Sequence, residues 1–218
     1  METLEDLNNR LTSLQFSLDT ISEDDIHRVA YLGNYGGDLV ARFHLTGSVE
    51  DLEEAIQVLE IAVKLPTENN QYRACSLLNY GNALRCRFEH QRLHQGDLTM
   101  AVDALDQAVE LIGEGQLEQP MYLNALACAL ITQFDLDEDI DNLNKAISIT
   151  ARAVQLGSKH PGQAMFFSNL GSGLQERFKR LGSMSDLDEA IEAKRQAIGL
   201  TPANHPNRGD YLNNLGMG

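Results

Sequence analysis

The stretch FFSNLGSGLQERFKRLGSMSDLDEAIEAKRQAIGLTP, residues 166–202, contains the pattern that decides the fold. Its first half spaces apolar or small residues as one face of a helix does: Phe167, Leu170, Gly171, Leu174 and Phe178. Gly182 suits the left-handed residue that ends a helix, and Ser183 with Asp186 has the capping-box signature of a helix start. The stretch therefore predicts two helices joined by a tight turn.

The same unit recurs along the chain with a period of 44 to 46 residues. An aromatic residue lies late in each first helix: Phe43, Phe88, Phe134 and Phe178. A small residue stands seven positions before each aromatic: Gly36, Gly81, Ala127 and Gly171. An alanine lies early in each second helix: Ala55, Ala101, Ala146 and Ala190. Such a period predicts stacked helical hairpins, because one hairpin cannot bury its apolar face alone.

We therefore predict an all-α fold, a right-handed solenoid of antiparallel helix hairpins. A leading helix occupies residues 1–24, and the solenoid has repeats at about 25–66, 69–113, 119–157 and 161–202 and a partial repeat at 207–218. Natural arrays usually end in an atypical capping repeat. Residues 211–218 are instead among the most regular, which predicts that the chain is the N-terminal part of a longer protein.

These residues resemble the tetratricopeptide repeat (TPR) superfamily, in the small residue of the first helix, the alanines of the second and Pro202 shortly after. The ordinary repeat of that superfamily has about 34 residues, and this one is roughly ten longer. The segments Leu-Asn-Asn-Leu-Gly at 212–216 and Asp-Leu-Asp-Glu-Ala-Ile at 186–191 look like the long repeats of fungal TPR–CHAT proteins and of kinesin light chains. The resemblance covers about residues 28–218. It implies a protein-interaction scaffold that binds an extended peptide in a concave groove, in a signalling or effector protein.

The resemblance also implies which residues would line that groove. An asparagine precedes the small position by two residues in four of the five first helices: Asn34, Asn79, Asn169 and Asn214. Asp38, Cys86 and Glu176 lie further along the same helical face. In the related families an asparagine at this site often binds the backbone of an extended peptide. The alternative is that each amide ties its helix to a neighbouring helix, and the sequence is compatible with both.

The leading helix has a heptad seam at alternating steps of three and four: Leu4, Leu7, Leu11, Leu14, Leu18 and Ile21. One interpretation is a helix that covers the first repeat, in the place of a preceding second helix. The other is a coiled coil that joins two copies into a homodimer through residues 3–21. Fewer than three heptads is short for an independent coiled coil, which favours the first interpretation.

Charge and composition limit the partners and the compartment. The formal net charge is −15, so phosphate backbones and anionic lipid surfaces are not expected partners. A basic or apolar peptide is compatible with that charge. Three cysteines without paired spacing, and an N-terminus without the features of a signal peptide, predict a reduced, cytoplasmic protein.

Catalytic motifs are not recognisable, and we predict a protein that is not an enzyme and needs no cofactor. Cys86, His90 and His94 are spaced so that one helical face could offer three zinc ligands. That site requires a helix that persists to residue 94 and a fourth ligand, so we favour an ordinary polar helix end.

Two sets of arginines also repeat. The arginines of the first set stand directly before the repeated aromatic residue in three of the first helices: Arg42, Arg87 and Arg177. The second stands six residues before the asparagine: Arg28, Arg73 and Arg208. We interpret both sets as exposed partners of the acidic turns.

Overall fold

The computed structural model describes residues 3–92 and 94–216, without the side chain of Gln95. This part of the chain contains ten α-helices and no strand. The helices are α1 (Leu4–Thr20), α2 (Arg28–Thr46), α3 (Val49–Lys64), α4 (Asn70–Gln91), α5 (Gln95–Ile112), α6 (Gln119–Asp137), α7 (Ile140–Leu156), α8 (Gln163–Leu181), α9 (Met184–Gly199) and α10 (Arg208–Gly216). The prediction of an all-α fold is confirmed.

The chain forms two compact units, Met1–Gly113 and Glu114–Gly218. In the first unit α1 packs on α2, and the hairpin α2–α3 packs against α4 of the hairpin α4–α5. In the second unit the hairpin α6–α7 packs against α8 of the hairpin α8–α9, which α10 follows. Within residues 3–92 and 94–216, no helix combines the length and the apolarity that crossing a membrane requires.

All four complete first helices end in the same way, although only two of them end at a glycine. Gly47 and Gly182 adopt the left-handed conformation with φ of 73° and 71°. Arg92 and Glu138 take the same conformation with φ of 55° and 56°. At each of the four residues the backbone N–H donates to the carbonyl of the repeated phenylalanine, at 2.7 to 2.8 Å. The hairpin turn is therefore retained where glycine, its most favourable residue, is absent.

Each hairpin of the first unit is closed at a crossing between a glycine and a leucine. A Cβ atom added to Gly36 would lie 2.4 Å from Leu59 Cγ. One added to Gly81 would lie 2.5 Å from Leu105 Cγ and 3.0 Å from the carbonyl oxygen of Ala101. The repeated small residue is therefore required by the distance between the two helix axes, despite the unfavourable helix propensity of glycine.

The hairpins of the second unit use different pairs of side chains at the same register position. Lys194 replaces leucine, is 3% exposed, and has its Cγ 2.7 Å from a Cβ placed on Gly171. Its ammonium group donates to one oxygen of α8 and one of α10, and burial lowers the pKa of Lys194. In the hairpin α6–α7 the register places Ala127 opposite Thr150, and both are buried. A larger residue on the first helix is thus matched by a smaller one on the second.

The capping box that was expected at the start of the second helices forms only in half. Ser48 accepts a hydrogen bond from the backbone N–H of Asp51, as expected. The carboxylate of Asp51, however, receives two bonds of 2.7 Å from Arg42 and does not return to the Ser48 backbone. A complete capping box forms in α1, between Thr3 and Asp6. The same aspartate therefore caps its own helix unless an arginine from the preceding helix binds it.

These arginine–aspartate pairs recur in three hairpins: Arg42–Asp51, Arg87–Asp97 and Arg177–Asp186. The expectation of exposed arginines is wrong, because the arginine side chains are 16 to 28% exposed and the aspartates 7 to 11%. Each guanidinium also donates to a polar side chain of another helix: Asn8, Glu53 and Asn144. Each pair thereby joins three helices. In the hairpin α6–α7, Gln133 and Asn142 stand at the two positions, so both charges are replaced together.

The expected partners of the second set of arginines are also wrong. Arg28, Arg73 and Arg208 donate to backbone carbonyls at the C-terminal ends of α1, α3 and α9. Those carbonyls have no partner within their own helix, so a cation with several donors satisfies them. Their partners are therefore helix ends and not acidic turns.

Helix α1 makes the contacts of a second helix. Leu7 and Leu11, 1% and 4% exposed, are buried. Arg28 reaches Leu18 O at the C-terminal end of α1, as Arg73 reaches Val63 O in α3. The heptad seam is thus partly occupied within the chain.

We predict that Gly81→Ala lowers the free energy of unfolding by about 1–2 kcal/mol, because the new methyl group forces Leu105 and the Ala101 carbonyl away. The matched control is Gly96→Ala in α5, where a Cβ meets no atom within 4 Å. The control should be as stable as wild type or more stable by up to about 1 kcal/mol. Urea unfolding measures both, and equal stabilities of the two variants would contradict the close crossing.

We predict that Arg177→Gln costs about 2 kcal/mol of stability at pH 7, because a bidentate, charge-assisted pair is lost. Hydrogen bonds from Arg177 lower the pKa of Asp186. A carboxyl with a lowered folded pKa contributes stability above its unfolded pKa of about 4, and that contribution is lost as pH falls through the folded pKa. The difference between wild type and variant should therefore narrow below about pH 4.

The measurement is urea unfolding at pH 7 and at pH 3. The exposed Arg195→Gln is the control for the change in net charge. A difference that stays constant between the two pH values would show that Arg177 contributes packing and not an ion pair.

Candidate peptide-binding groove

The first unit has a groove between the first helices α2 and α4, named here the α2–α4 groove. Its largest cavity, about 550 Å³, is lined by Asn34, Asp38 and Asn79, together with residues of α1. A second cavity of about 220 Å³ shares Asn34, and a third of about 450 Å³ is joined to the second through Tyr72. Three of the seven residues that were expected to line a groove therefore meet in one cavity.

Asn34 is a polar group of the groove that is available to a ligand. Its side chain is exposed and makes no hydrogen bond within the described residues. The amide can therefore donate and accept one hydrogen bond each towards a ligand without giving up an internal contact. Peptide binding by the repeated asparagines, which the resemblance implied, stays a prediction.

Asp38 forms a bidentate ion pair with Arg10 of α1, at 2.9 and 2.6 Å. The hydrogen bonds that Arg10 donates to the Asp38 carboxylate raise the pKa of Arg10. Arg10 stands where Ala55 and Ala101 stand in the next two second helices. Arg10 is a groove residue that was not among the expected ones, although an arginine at a repeated alanine position was a signal for it.

Asn79 joins two helices and also lines the groove. Its Nδ2 donates to Gly33 O at 3.0 Å, which ties α4 to α2. A Cβ on Gly37 would lie 2.6 Å from the same nitrogen, so a glycine is needed beside it. The Asn79 side chain also lines the largest cavity. Its amide nitrogen is engaged within the protein.

The repeated asparagines of the second unit bind polar side chains of neighbouring helices. Asn169 Nδ2 donates to Asn124 Oδ1 at 2.8 Å and lies 3.5 Å from Cys128 Sγ. Asn214 Nδ2 donates to Ser168 Oγ at 3.3 Å. These amides join neighbouring helices, and in each of them the nitrogen that a ligand would use already has a partner.

Cys86 and Glu176 do not line the α2–α4 groove cavities. Cys86 is 4% exposed, its Sγ lies 3.6 Å from His44 Nε2, and burial raises the pKa of its thiol. Glu176 pairs with Lys179 at 3.1 Å and with Arg180 at 3.5 Å. Both residues already have partners of their own.

The spacing of Cys86, His90 and His94 does not produce a common face. Helix α4 ends at Gln91, and Arg92 turns the chain with a left-handed backbone conformation. His94 therefore lies beyond the helix that would have aligned it with Cys86. Among the residues that the structure describes, no group of three His, Cys, Asp or Glu side chains is placed to hold a metal ion.

The comparisons with known proteins identify the fold. No family model matches the sequence, and no curated protein matches it. The solved structure of MamA is similar with a TM-score of 0.54 and 17% identity over 88% of this chain and 91% of that chain. A Podosopora anserina putative kinesin light chain with nearly identical TPR-like repeats has a TM-score of 0.53 and 20% identity, over 84% and 83%. BtubC (BKLC) from P. vanneervenii has a TM-score of 0.63 and 14% identity, over 99% and 83%.

These likenesses are below 25% identity and concern the fold alone. Together with the helix hairpins described above, they confirm the expected class. The chain has an all-α fold of TPR-like helical repeats.

Proposed function

We propose that the chain is a protein-interaction module whose α2–α4 groove binds an extended segment of a partner protein. The observation that carries the proposal is the exposed Asn34 amide, without an internal hydrogen bond, at the junction of two cavities. A peptide backbone in extended conformation offers alternating donors and acceptors, and one side-chain amide can bind both. TPR-like neighbours are compatible with this role.

The groove sets the length of the segment. Its cavities follow α2 from His27, beside Tyr72, to Asp38, which is about 17 Å of helix at roughly 1.5 Å per residue. An extended chain advances about 3.3 Å per residue, so the groove accommodates about five residues. A segment of this size is a short linear motif and not a folded domain.

The two ends of the groove differ in chemistry. Ile26, Pro66 and Tyr72 form a mainly apolar end, and Ile26 is 77% exposed. The other end holds the ion pair of Arg10 and Asp38, whose charges compensate each other. Most of the chain's acidic excess lies in residues 1–113. We infer a segment with an apolar residue at one end and polar or basic residues towards the other.

We predict that peptides selected from a random heptapeptide display library against the whole chain lose about tenfold in affinity for Asn34→Ala, since two hydrogen bonds are removed. Asn34 makes no internal bond, so the variant should fold normally. The matched control is Asn213→Ala, an exposed asparagine of α10. Fluorescence anisotropy measures the affinities, and equal binding to wild type and Asn34→Ala would refute the groove as the site.

The finer resemblance to fungal TPR–CHAT arrays suggests the setting of this module. We propose that it serves as a recruitment arm of a larger signalling or effector protein. The catalytic residues of such a protein would then lie outside residues 1–218.

A second candidate function is self-association through α1. The observation that favours it is the exposure of two large apolar side chains on that helix, Phe16 at 69% and Leu4 at 44%. The seam residues Leu7 and Leu11 are already buried within the chain. A homodimer would therefore use the remaining surface of residues 3–21, and Phe16 is its strongest apolar contact.

On this proposal, light scattering over a concentration series should give a dimer mass for wild type and a monomer mass for Phe16→Ser. Ile61→Ser is the control, because Ile61 occupies the same register position on α3 and is 52% exposed. A monomer at every wild-type concentration would remove self-association and leave the α2–α4 groove as the single candidate.

A further inference from the structure

A further cavity, outside the α2–α4 groove, lies on the opposite side of α4 between the second helices α3 and α5. Its volume is about 260 Å³, which suits one side chain better than a whole small molecule. Val63 of α3, Leu77 of α4 and Met100 of α5 supply apolar walls. Tyr80 of α4 and Asp103 of α5 supply polar groups. None of these residues lines the α2–α4 groove.

Tyr80 is a buried polar side chain without a partner. Only 6% of the residue is exposed, and its hydroxyl makes no hydrogen bond within residues 3–92 and 94–216. Burial raises the pKa of Tyr80, so the hydroxyl stays protonated at neutral pH and can both donate and accept. The hydroxyl itself is open to the cavity, because it is not among the fully buried side-chain polar atoms that lack a hydrogen bond in the described part of the chain. It is therefore available for a hydrogen bond from a ligand there.

The preceding repeat shows how the chain fills the same position itself. Tyr35 stands one repeat before Tyr80, and its hydroxyl donates to Glu54 at 2.8 Å. Burial and Glu54 raise the pKa of Tyr35 to about 12. In α5 the position of Glu54 is taken by Met100. The partner of the tyrosine has thus been removed in this repeat, while the tyrosine is kept.

Three further changes between the repeats alter the size and the chemistry of the cavity. Ala104 replaces the larger Val58, and Gln107 replaces the apolar Ile61. Asp103 replaces Gln57 and is an exposed carboxylate without an ion pair among the described residues. The wall that faces α3 therefore gains an acceptor with a full charge and an amide.

Arg73, a cationic side chain that lines the cavity, already has hydrogen-bond partners within the protein. Arg73 donates to the carbonyls of Val63 and Leu65 at the end of α3. Lys64 and Glu60, whose charges both act on Tyr80, pair with each other at 2.5 Å. The unpaired charge at this site is thus the carboxylate of Asp103, within a unit that carries most of the acidic excess of the chain.

We infer that the cavity between α3 and α5 binds a lysine side chain of a partner protein. The aliphatic stem lies against Val63, Leu77 and Met100, and the ammonium group donates to the Tyr80 hydroxyl oxygen, the Asp103 carboxylate and Gln107 Oε1. An ammonium group has three donors and no acceptor, which matches three oxygen acceptors. The site would work as a contact point on the face of the second helices, separate from the α2–α4 groove.

The test uses three capped tripeptides as probes, Ala-Lys-Ala, Ala-Glu-Ala and Ala-norleucine-Ala, titrated into the whole ¹⁵N-labelled chain. The lysine peptide should shift the amide resonances of residues 77–80 and 100–107 with a dissociation constant in the millimolar range. The norleucine peptide, which keeps the stem without the charge, should bind about tenfold more weakly, and the glutamate peptide should not bind. These differences follow from the loss of charge-assisted hydrogen bonds.

The variants separate the two polar groups. Tyr80→Phe removes a hydroxyl that makes no internal bond, so the fold is retained, and lysine peptide binding should weaken by about tenfold. Asp103→Asn should weaken it at least as much, whereas Glu110→Gln, an exposed acidic residue of α5 outside the cavity, should change nothing. Asn34→Ala, in the α2–α4 groove, should also leave lysine binding intact.

Several outcomes would overturn the inference. They are equal binding of the lysine and norleucine peptides, preferential binding of the glutamate peptide, an unchanged affinity in Tyr80→Phe, or no shift with the lysine peptide at tens of millimolar. Loss of lysine binding in Asn34→Ala would place the probe in the groove and would equally reject the second site.

Discussion

The distance between the two helix axes of each hairpin is the constraint on which the rest of this structure depends. In the first unit it is set by Gly36 against Leu59 and by Gly81 against Leu105, where even one added carbon would lie within 2.5 Å of its neighbour. Because protein interiors are densely packed, there is no free volume at such a crossing for an additional methyl group. The other hairpins keep the constraint and change the residues, with Lys194 or Thr150 in the leucine position. The repeat is therefore conserved in geometry more strongly than in residue type.

Electrostatic pairs orient the hairpins once that distance is set. The aspartate at the start of a second helix has two possible partners, its own helix N-terminus or an arginine of the preceding helix. Asp6 takes the first and Asp51 the second, because an arginine is placed to reach Asp51. Each arginine also reaches a third helix, so one side chain links the turn of a hairpin to the helix beside it. The packing of helices within each unit thus rests on contacts that a local capping motif does not reveal.

Both candidate sites occur where one repeat departs from the next. Asn34 is exposed in the first unit, whereas Asn169 is bonded to Asn124 in the second. Tyr35 is satisfied by Glu54, whereas Tyr80 faces a cavity that Met100 leaves open. The polar residues that recur at the same position in most repeats mainly form hydrogen bonds that join one helix to another. Groups that remain free for a partner arise where the repeated pattern supplies one half of a pair and omits the other.

The sequence by itself determined the all-α class and the hairpin repeat, because helical periodicity, small residues and helix ends are local properties with a fixed spacing. It also identified Asn34, Asp38 and Asn79 as groove candidates, which now meet in one cavity. The direction of each amide, the pairing of Arg10 with Asp38 and the burial of Arg177 were decided only by the tertiary structure. Those features join residues about 9 to 46 positions apart, so they depend on how neighbouring helices pack, and no local pattern encodes that geometry.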